Sequence, residues 1–115
     1  MTFLDAIARE EGFYVSGTRP ARNNNPGDLE YHPWMSQFGS KGGDPRFAIF
    51  PTPEQGFAAL KELFTFHAYK GKTVAEAINT FAPGDENDTA LYIHHVCMWV
   101  GCKSTDIIDD LLEAA

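Results

Sequence analysis

The sequence predicts one α+β domain, mainly helical, with about five helices and a small β-hairpin or sheet. Three observations carry this expectation. Apolar residues recur at helical spacing in five stretches, most of them bounded by a recognisable cap or stop. Two short runs, residues 29–31 and 46–50, read as extended and fit one another as partners in a hairpin. The chain has 115 residues, 43% hydrophobic and 22% charged, which is enough material for a single core, and it contains no internal repeat or low-complexity tract.

The elements follow in order. Thr2 and Asp5 make a start resembling a capping box, Phe3, Leu4, Ile7 and Ala8 share a face, and Gly12 supplies a left-handed stop. Residues 14–45 are rich in Gly, Pro, Ser and Asn and read as a long loop region with Trp34, Met35 and Phe38 as anchors. A loop of that length in a compact domain is expected to build a binding surface. Thr52, Pro53 and Gln55 open a helix expected to reach about Tyr69, with Phe57, Leu60, Phe64 and Ala68 along one face. Thr73 and Glu76 repeat the box for a short helix through Val74, Ala77, Ile78 and Phe81, stopped by Pro83 and Gly84. Residues 85–89 are acidic or amide-bearing and read as the capped start of a helix ending at Gly101. They lack the alternating carboxylates of a calcium loop. A last helix is expected over residues 105–113, packing Ile107, Ile108, Leu111 and Leu112.

Composition excludes several functions. A net charge of −7 argues against a nucleic-acid footprint, which needs clustered Lys and Arg. No stretch is long enough to cross a membrane, and the start lacks a basic region followed by an apolar run. The chain is therefore expected to be made in the cytoplasm without a classical export signal, as a monomer that does not enter membranes. The spacing of Cys97 and Cys102 is no metal motif, and they are expected as reduced, largely buried thiols, although a small disulfide is geometrically feasible. Adjacent His94 and His95 point about 100° apart on a helix, so no metal and no cofactor are expected.

Chemistry concentrates where the first helix ends. Glu11 occupies the last turn, where the partial negative charge of the carbonyl end disfavours an anion by roughly 0.3–1 kcal/mol. Glu10 beside it and the apolar Phe13 and Tyr14 after it push in the same direction, so the carboxyl pKa is expected to rise. A raised carboxyl pKa suits a general acid working near neutral pH. Downstream, Asn23, Asn24 and Asn25 precede Pro26-Gly27-Asp28, a turn-forming segment expected to adopt type II geometry. The gathered amides suit a sugar's acetamido and hydroxyl groups, and they equally suit the loop's own backbone.

These motifs, in this order, resemble small lysozyme-like domains of phage and bacterial origin, within the superfamily of lysozymes and lytic transglycosylases. The resemblance rests on Glu11-Gly12, on residues 23–29, on the run from Phe47 to Gly56, and on Ala82-Pro83 followed by residues 86–89 with Tyr92-Ile93. It covers about residues 3–101. It implies a lysozyme-like fold, with the small sheet beside an active-site groove, and cleavage of the β-1,4 bond between N-acetylmuramic acid and N-acetylglucosamine in peptidoglycan. Glu11 matches the general acid. Asn24, Asn25, Asp28, Tyr31, Phe47, Asn87 and Tyr92 match or neighbour groove-lining positions. The alternative is a non-catalytic glycan-binding or phage structural module on the same fold.

Two departures from the family pattern have consequences. Hydrolytic relatives carry an Asp about nine residues beyond the acid, and here that place falls at Pro20. Either Glu11 serves as both acid and base while the substrate closes an anhydro ring, or Asp28, Glu30 or Asp44 activates water. An inverting reaction of the second kind needs a carboxylate gap of roughly 6.5–9.5 Å. Acidity is the other departure, since many wall-degrading enzymes are basic. It points to local delivery at the cell wall or periplasm, by a virion, a holin-like lysis system or a secretion system.

Overall fold

The computed structural model describes residues 1–85 and 87–113. Glu86, part of the acidic segment read as helix capping, lies outside the described residues. Among those residues the chain forms six α-helices: α1 (Phe3–Glu11), α2 (Arg19–Arg22), α3 (Pro53–Leu63), α4 (Val74–Phe81), α5 (Thr89–Val100) and α6 (Ile108–Glu113). A 3₁₀ helix spans Pro33–Phe38. They are distributed over two compact units, one of Met1–Ala6 with Leu63–Ala115 and one of Ile7–Glu62. The helical reading holds, and the expected sheet does not.

The first unit is held by apolar side chains and well-capped helices. Thr73 caps α4 with its hydroxyl on the Glu76 N–H at 3.1 Å, and the Glu76 carboxylate returns to the Thr73 N–H at 2.9 Å. That pairing buries Val74, Ala77 and Ile78 completely on one face. Phe64 stands at the centre of an aromatic cluster, 5.3 Å from Phe3, 5.1 Å from Tyr69 and 5.4 Å from Phe81 between ring centroids. Asp88 accepts from the Leu91 N–H to start α5, and Gly101 in the left-handed region stops it. Just past that stop the Cys102 N–H donates to the Cys97 carbonyl at 3.2 Å. The two thiols are free and hydrogen-bonded to each other, and both are half-buried rather than enclosed.

Two boundaries in this unit differ from expectation. The helix that opens at Pro53 ends at Leu63, not near Tyr69. Residues 64–72 turn instead through bonds from Phe66 to Leu63, from Tyr69 to Phe66 and from Lys72 to Tyr69. A continued helix would bury Ala68, four residues after Phe64. The turned chain leaves Ala68 exposed and brings Tyr69 against Phe64, which gives the larger aromatic contact. The last helix begins at Ile108 because Ile107 forms an isolated antiparallel bridge with Thr73.

The second unit contains the remainder of α1, then α2, the 3₁₀ helix and α3, joined by long irregular segments. Residues 14–45 were expected as loop, and two of the seven helical segments fall there. Residues 29–31 and 46–48 do meet, through Tyr31 N–H to the Arg46 carbonyl at 2.7 Å and Ala48 N–H to the Leu29 carbonyl at 2.8 Å. The contact remains a single bridge, Glu30 with Phe47, beside another between Gly43 and Ala48, and among the described residues no sheet forms. The physical reason lies at both ends. Asp28 is left-handed at φ 48° and the Ile49 N–H turns to Gly42, while Pro45 has no N–H to continue the ladder.

The Asn-Pro-Gly turn also departs from type II geometry. Asp28 N–H donates to the Asn25 carbonyl at 2.9 Å, and the left-handed residue is Asp28, not Gly27. Gly27 packs closely instead: a Cβ there would lie 2.6 Å from Leu60 Cδ1 and 3.0 Å from Leu29 Cδ2, so those leucine ends would have to shift.

Candidate active site

Glu11 is the last residue of α1 and is half-buried. Gly12 follows at φ 88°, which reverses the chain. Thr18 then joins this reversal to α2: its hydroxyl lies 2.8 Å from the Gly12 carbonyl, 2.9 Å from the Val15 carbonyl and 3.3 Å from the Ala21 N–H that it caps. Pro20 is buried in α2. That position therefore serves helix formation and packing here.

Arg19 is consequently fixed beside the end of α1. Its Nε lies 3.0 and 3.2 Å from the two Asp28 carboxylate oxygens, and its Nη2 lies 2.6 Å from Oδ2. The guanidinium is stacked 3.5 Å from the centroid of the Phe47 ring. The Asp28 hydrogen bond is the chief reason that the Arg19 pKa rises, and the charges of Asp28, Asp44 and Glu11 add to it. Glu11, Arg19, Asp28 and Asp44 thus form one electrostatic group within this unit.

The neighbouring carboxylates are likewise matched to arginines. Arg22 Nη2 lies 3.1 Å from Asp44, and Arg46 Nε lies 3.3 Å from Glu30. Arg46 also stands 4.9 Å from the Phe47 centroid. Phe47 is 9% exposed, with arginine on its face. It acts as a platform for cations rather than as an open surface for a sugar ring.

The three asparagines have different fates. Asn25 is fully buried, its Nδ2 donating to the Leu29 and Ala48 carbonyls at 3.0 and 2.9 Å while its Oδ1 accepts the Leu29 N–H at 3.0 Å. Its amide is committed to the loop. Asn24 is left-handed at φ 52°, and its Nδ2 donates to the Phe50 carbonyl at 3.0 Å. Asn23 accepts the Phe50 N–H on its carbonyl at 2.9 Å, and its buried Nδ2 meets no hydrogen-bond partner.

Of the residues expected to line a groove, Asp28 and Phe47 meet around Arg19, with Tyr31 half-buried one residue from the Glu30 bridge. Asn87 and Tyr92 belong to the other unit. Asn87 is exposed and folds back on the Pro83 carbonyl, and Tyr92 is 3% exposed within α5. A separate open depression of about 520 Å³ is lined by Gly39, Lys41, Gly42, Gly43, Ile49, Phe50 and Pro51, and includes none of the expected site residues. Among the described residues no group of three or more His, Cys, Asp or Glu could hold a metal ion, and no helix is long and apolar enough to cross a membrane.

Sequence reasoning missed Arg19. Its signal was present in the Thr18-Arg19-Pro20 start, a helix cap with proline in the first turn, which places a cation directly after the reversal that follows Glu11. Comparison with known proteins finds no family pattern and no curated protein that matches the chain.

Proposed function

We propose that the chain is a peptidoglycan-cleaving muramidase in which Glu11 is both acid and base. The motif order from Glu11-Gly12 to Tyr92 supports the substrate. The mechanism is carried by one observation: Asp28, Glu30 and Asp44, the alternative carboxylates for activating water, are each paired with an arginine. A carboxylate whose oxygens face an arginine has its lone pairs directed at that cation, which makes it a poor acceptor for a water proton.

In this reading Glu11 protonates the glycosidic oxygen, the N-acetylglucosamine side leaves, and positive charge develops at C1 of the muramic sugar. The C6 hydroxyl of the same sugar attacks C1 and gives its proton to the Glu11 carboxylate. The product is a 1,6-anhydromuramic end, and Glu11 regains its proton. The acidic chain acts at the cell wall after local delivery, with peptidoglycan strands as its partner.

The test is mass spectrometry of fragments from purified peptidoglycan, with Glu11→Gln run beside the parent. Anhydro ends from the parent and a loss of about 10²–10⁴ in rate for Glu11→Gln are expected. Reducing muramic ends would overturn the single-carboxylate mechanism. Absence of products from a folded parent would favour a glycan-binding module.

A further inference from the structure

The chain contains two cysteines in 115 residues, and both belong to the turn that ends α5. Gly101, left-handed at φ 78°, reverses the backbone there, and the N–H groups of Gly101 and Cys102 both donate to the Cys97 carbonyl, at 2.9 and 3.2 Å. In this pattern the second residue beyond a helix lies against a side chain of its last turn, a place ordinarily filled by two apolar groups. Here the two groups are thiols. They are hydrogen-bonded to each other, and both are half-buried rather than enclosed, so a dissolved oxidant reaches them.

We propose that Cys97 and Cys102 are a redox modification site, whose thiols close to an intramolecular disulfide when the folded chain meets a small-molecule disulfide in an oxidising compartment. A disulfide needs two Cα atoms roughly 4.4–6.8 Å apart with converging side chains. The end of α5 supplies that convergence, because a backbone hydrogen bond joins the two residues and their thiols are in contact. In the first step the Cys97 sulfur attacks the oxidant RSSR and forms a mixed disulfide, and its proton leaves with the first RSH. The Cys102 sulfur then attacks Cys97 in that adduct, expels the second RS⁻ and gives it a proton. Two thiols are oxidised and one disulfide is reduced, with no further reactant.

The burial that slows this reaction secures its product. Desolvation, and then the neighbouring Cys97, push the Cys102 thiol up to about 11, so it keeps its proton near neutrality and Cys97 makes the first attack. A thiol of that kind is also a poor leaving group, which protects the disulfide from reduction. Thiols tuned for catalysis have the opposite character, lowered by a helix N-terminus or a cation. Here the charge of Asp106 raises Cys102 further. The bond also restrains the segment that follows, in which the carbonyls of Asp106 and Ser104 accept the Val74 and Ala75 N–H groups at 2.9 and 3.0 Å, where α4 begins. The site lies in the unit that holds Leu63–Ala115 and does not involve Glu11, so its test stands apart from the muramidase reading.

In the test the full chain, folded in buffer or unfolded in urea, is equilibrated with mixtures of oxidised and reduced glutathione, approached from both the oxidised and the reduced side. Acid quenching, alkylation and intact mass spectrometry then count free thiols, glutathione adducts and internal disulfide. Folding is expected to lower the proportion of oxidised glutathione that half-oxidises the pair by at least about tenfold relative to the unfolded chain. The oxidised fold is expected to melt about 5 °C above the reduced one. Cys102→Ser is expected to accumulate a glutathione adduct on Cys97 faster than Cys97→Ser accumulates one on Cys102, and the reverse order would overturn the assignment of the attacking thiol. A folded chain that needs as much oxidant as the unfolded one, or that stops at glutathione adducts, would overturn the inference and leave the two cysteines as an apolar contact.

Discussion

Between Asn23 and Phe50 the backbone outside the 3₁₀ helix is irregular and polar side chains hold it, whereas between Phe64 and Leu112 short helices are held by buried apolar faces. In the first region Asn25 alone satisfies three backbone groups on two segments, and Asn24 ties a third to the Phe50 carbonyl. In the second, Phe64, Val74, Ala77, Ile78, Val96 and Ile108 are all fully buried. A sheet or helix supplies its own partners for buried N–H and C=O groups, and a region without either must recruit side chains for them. Direction is then encoded residue by residue, and substitution is expected to be tolerated differently in the two places.

Gly56→Ala is the most severe way to break the polar region. Gly to Ala inside a helix ordinarily gains up to about 1 kcal/mol. Here the new Cβ would collide with the Asn24 carbonyl and lie 2.7 Å from Pro26 Cδ. Since backbone cannot move as a flexible side chain would, a loss of at least about 3 kcal/mol is expected by urea unfolding. A stabilised variant would show that the Asn loop does not pack closely on α3.

The next comparison sets Asn25→Leu against Ile78→Val. Leucine keeps the branched shape of asparagine but is larger, and it leaves the Leu29 N–H and the Leu29 and Ala48 carbonyls without their partner at a fully buried site, at a cost of at least about 3 kcal/mol. Ile78→Val removes one methylene from a packed face and costs about 1 kcal/mol. If the two unfolding free energies fall by similar amounts, the contrast between a polar and an apolar lock disappears.

The same contrast decides what could be read from the sequence. The caps of α1, α4 and α5 were legible because Thr2 with Asp5, Thr73 with Glu76, and Gly101 act within one turn of the helix they bound. Glu11 was placed at the end of α1 for the same reason. The segments around the candidate site were less legible. Asn25 meets Ala48 across 23 positions and Asn24 meets Phe50 across 26, distances over which local pattern carries no information. The density of amides was visible, but their destination was not. Pairing of residues 29–31 with 46–48 was anticipated, yet its arrest at one bridge depends on Asp28 adopting a left-handed conformation that the preceding Gly27 was expected to take. Arg19 lies in a four-residue helix without apolar periodicity, too short for any periodic signal.

The thiol pair at the end of α5 has a consequence for tolerance of base. Burial first, and then the neighbouring Cys97, push the Cys102 thiol from 9.0 up to about 11. The unfolded chain releases this proton from about pH 9, while the folded chain retains it until about 11. Its contribution to folding is therefore fully present below pH 9 and lost progressively up to about 11. Burial raises the Tyr69 hydroxyl pKa from 10.0 in the same sense, so its contribution begins to fall above pH 10. Both groups belong to the unit in which apolar packing predominates. A fall in the urea midpoint between pH 9 and 11, made shallower by Cys102→Ala, is expected, and an unchanged slope in that variant would remove the thiol from the explanation. Apolar enclosure that secures the helices near neutrality thus becomes an alkaline weakness, because a buried acid can lose its proton only at the expense of the fold around it.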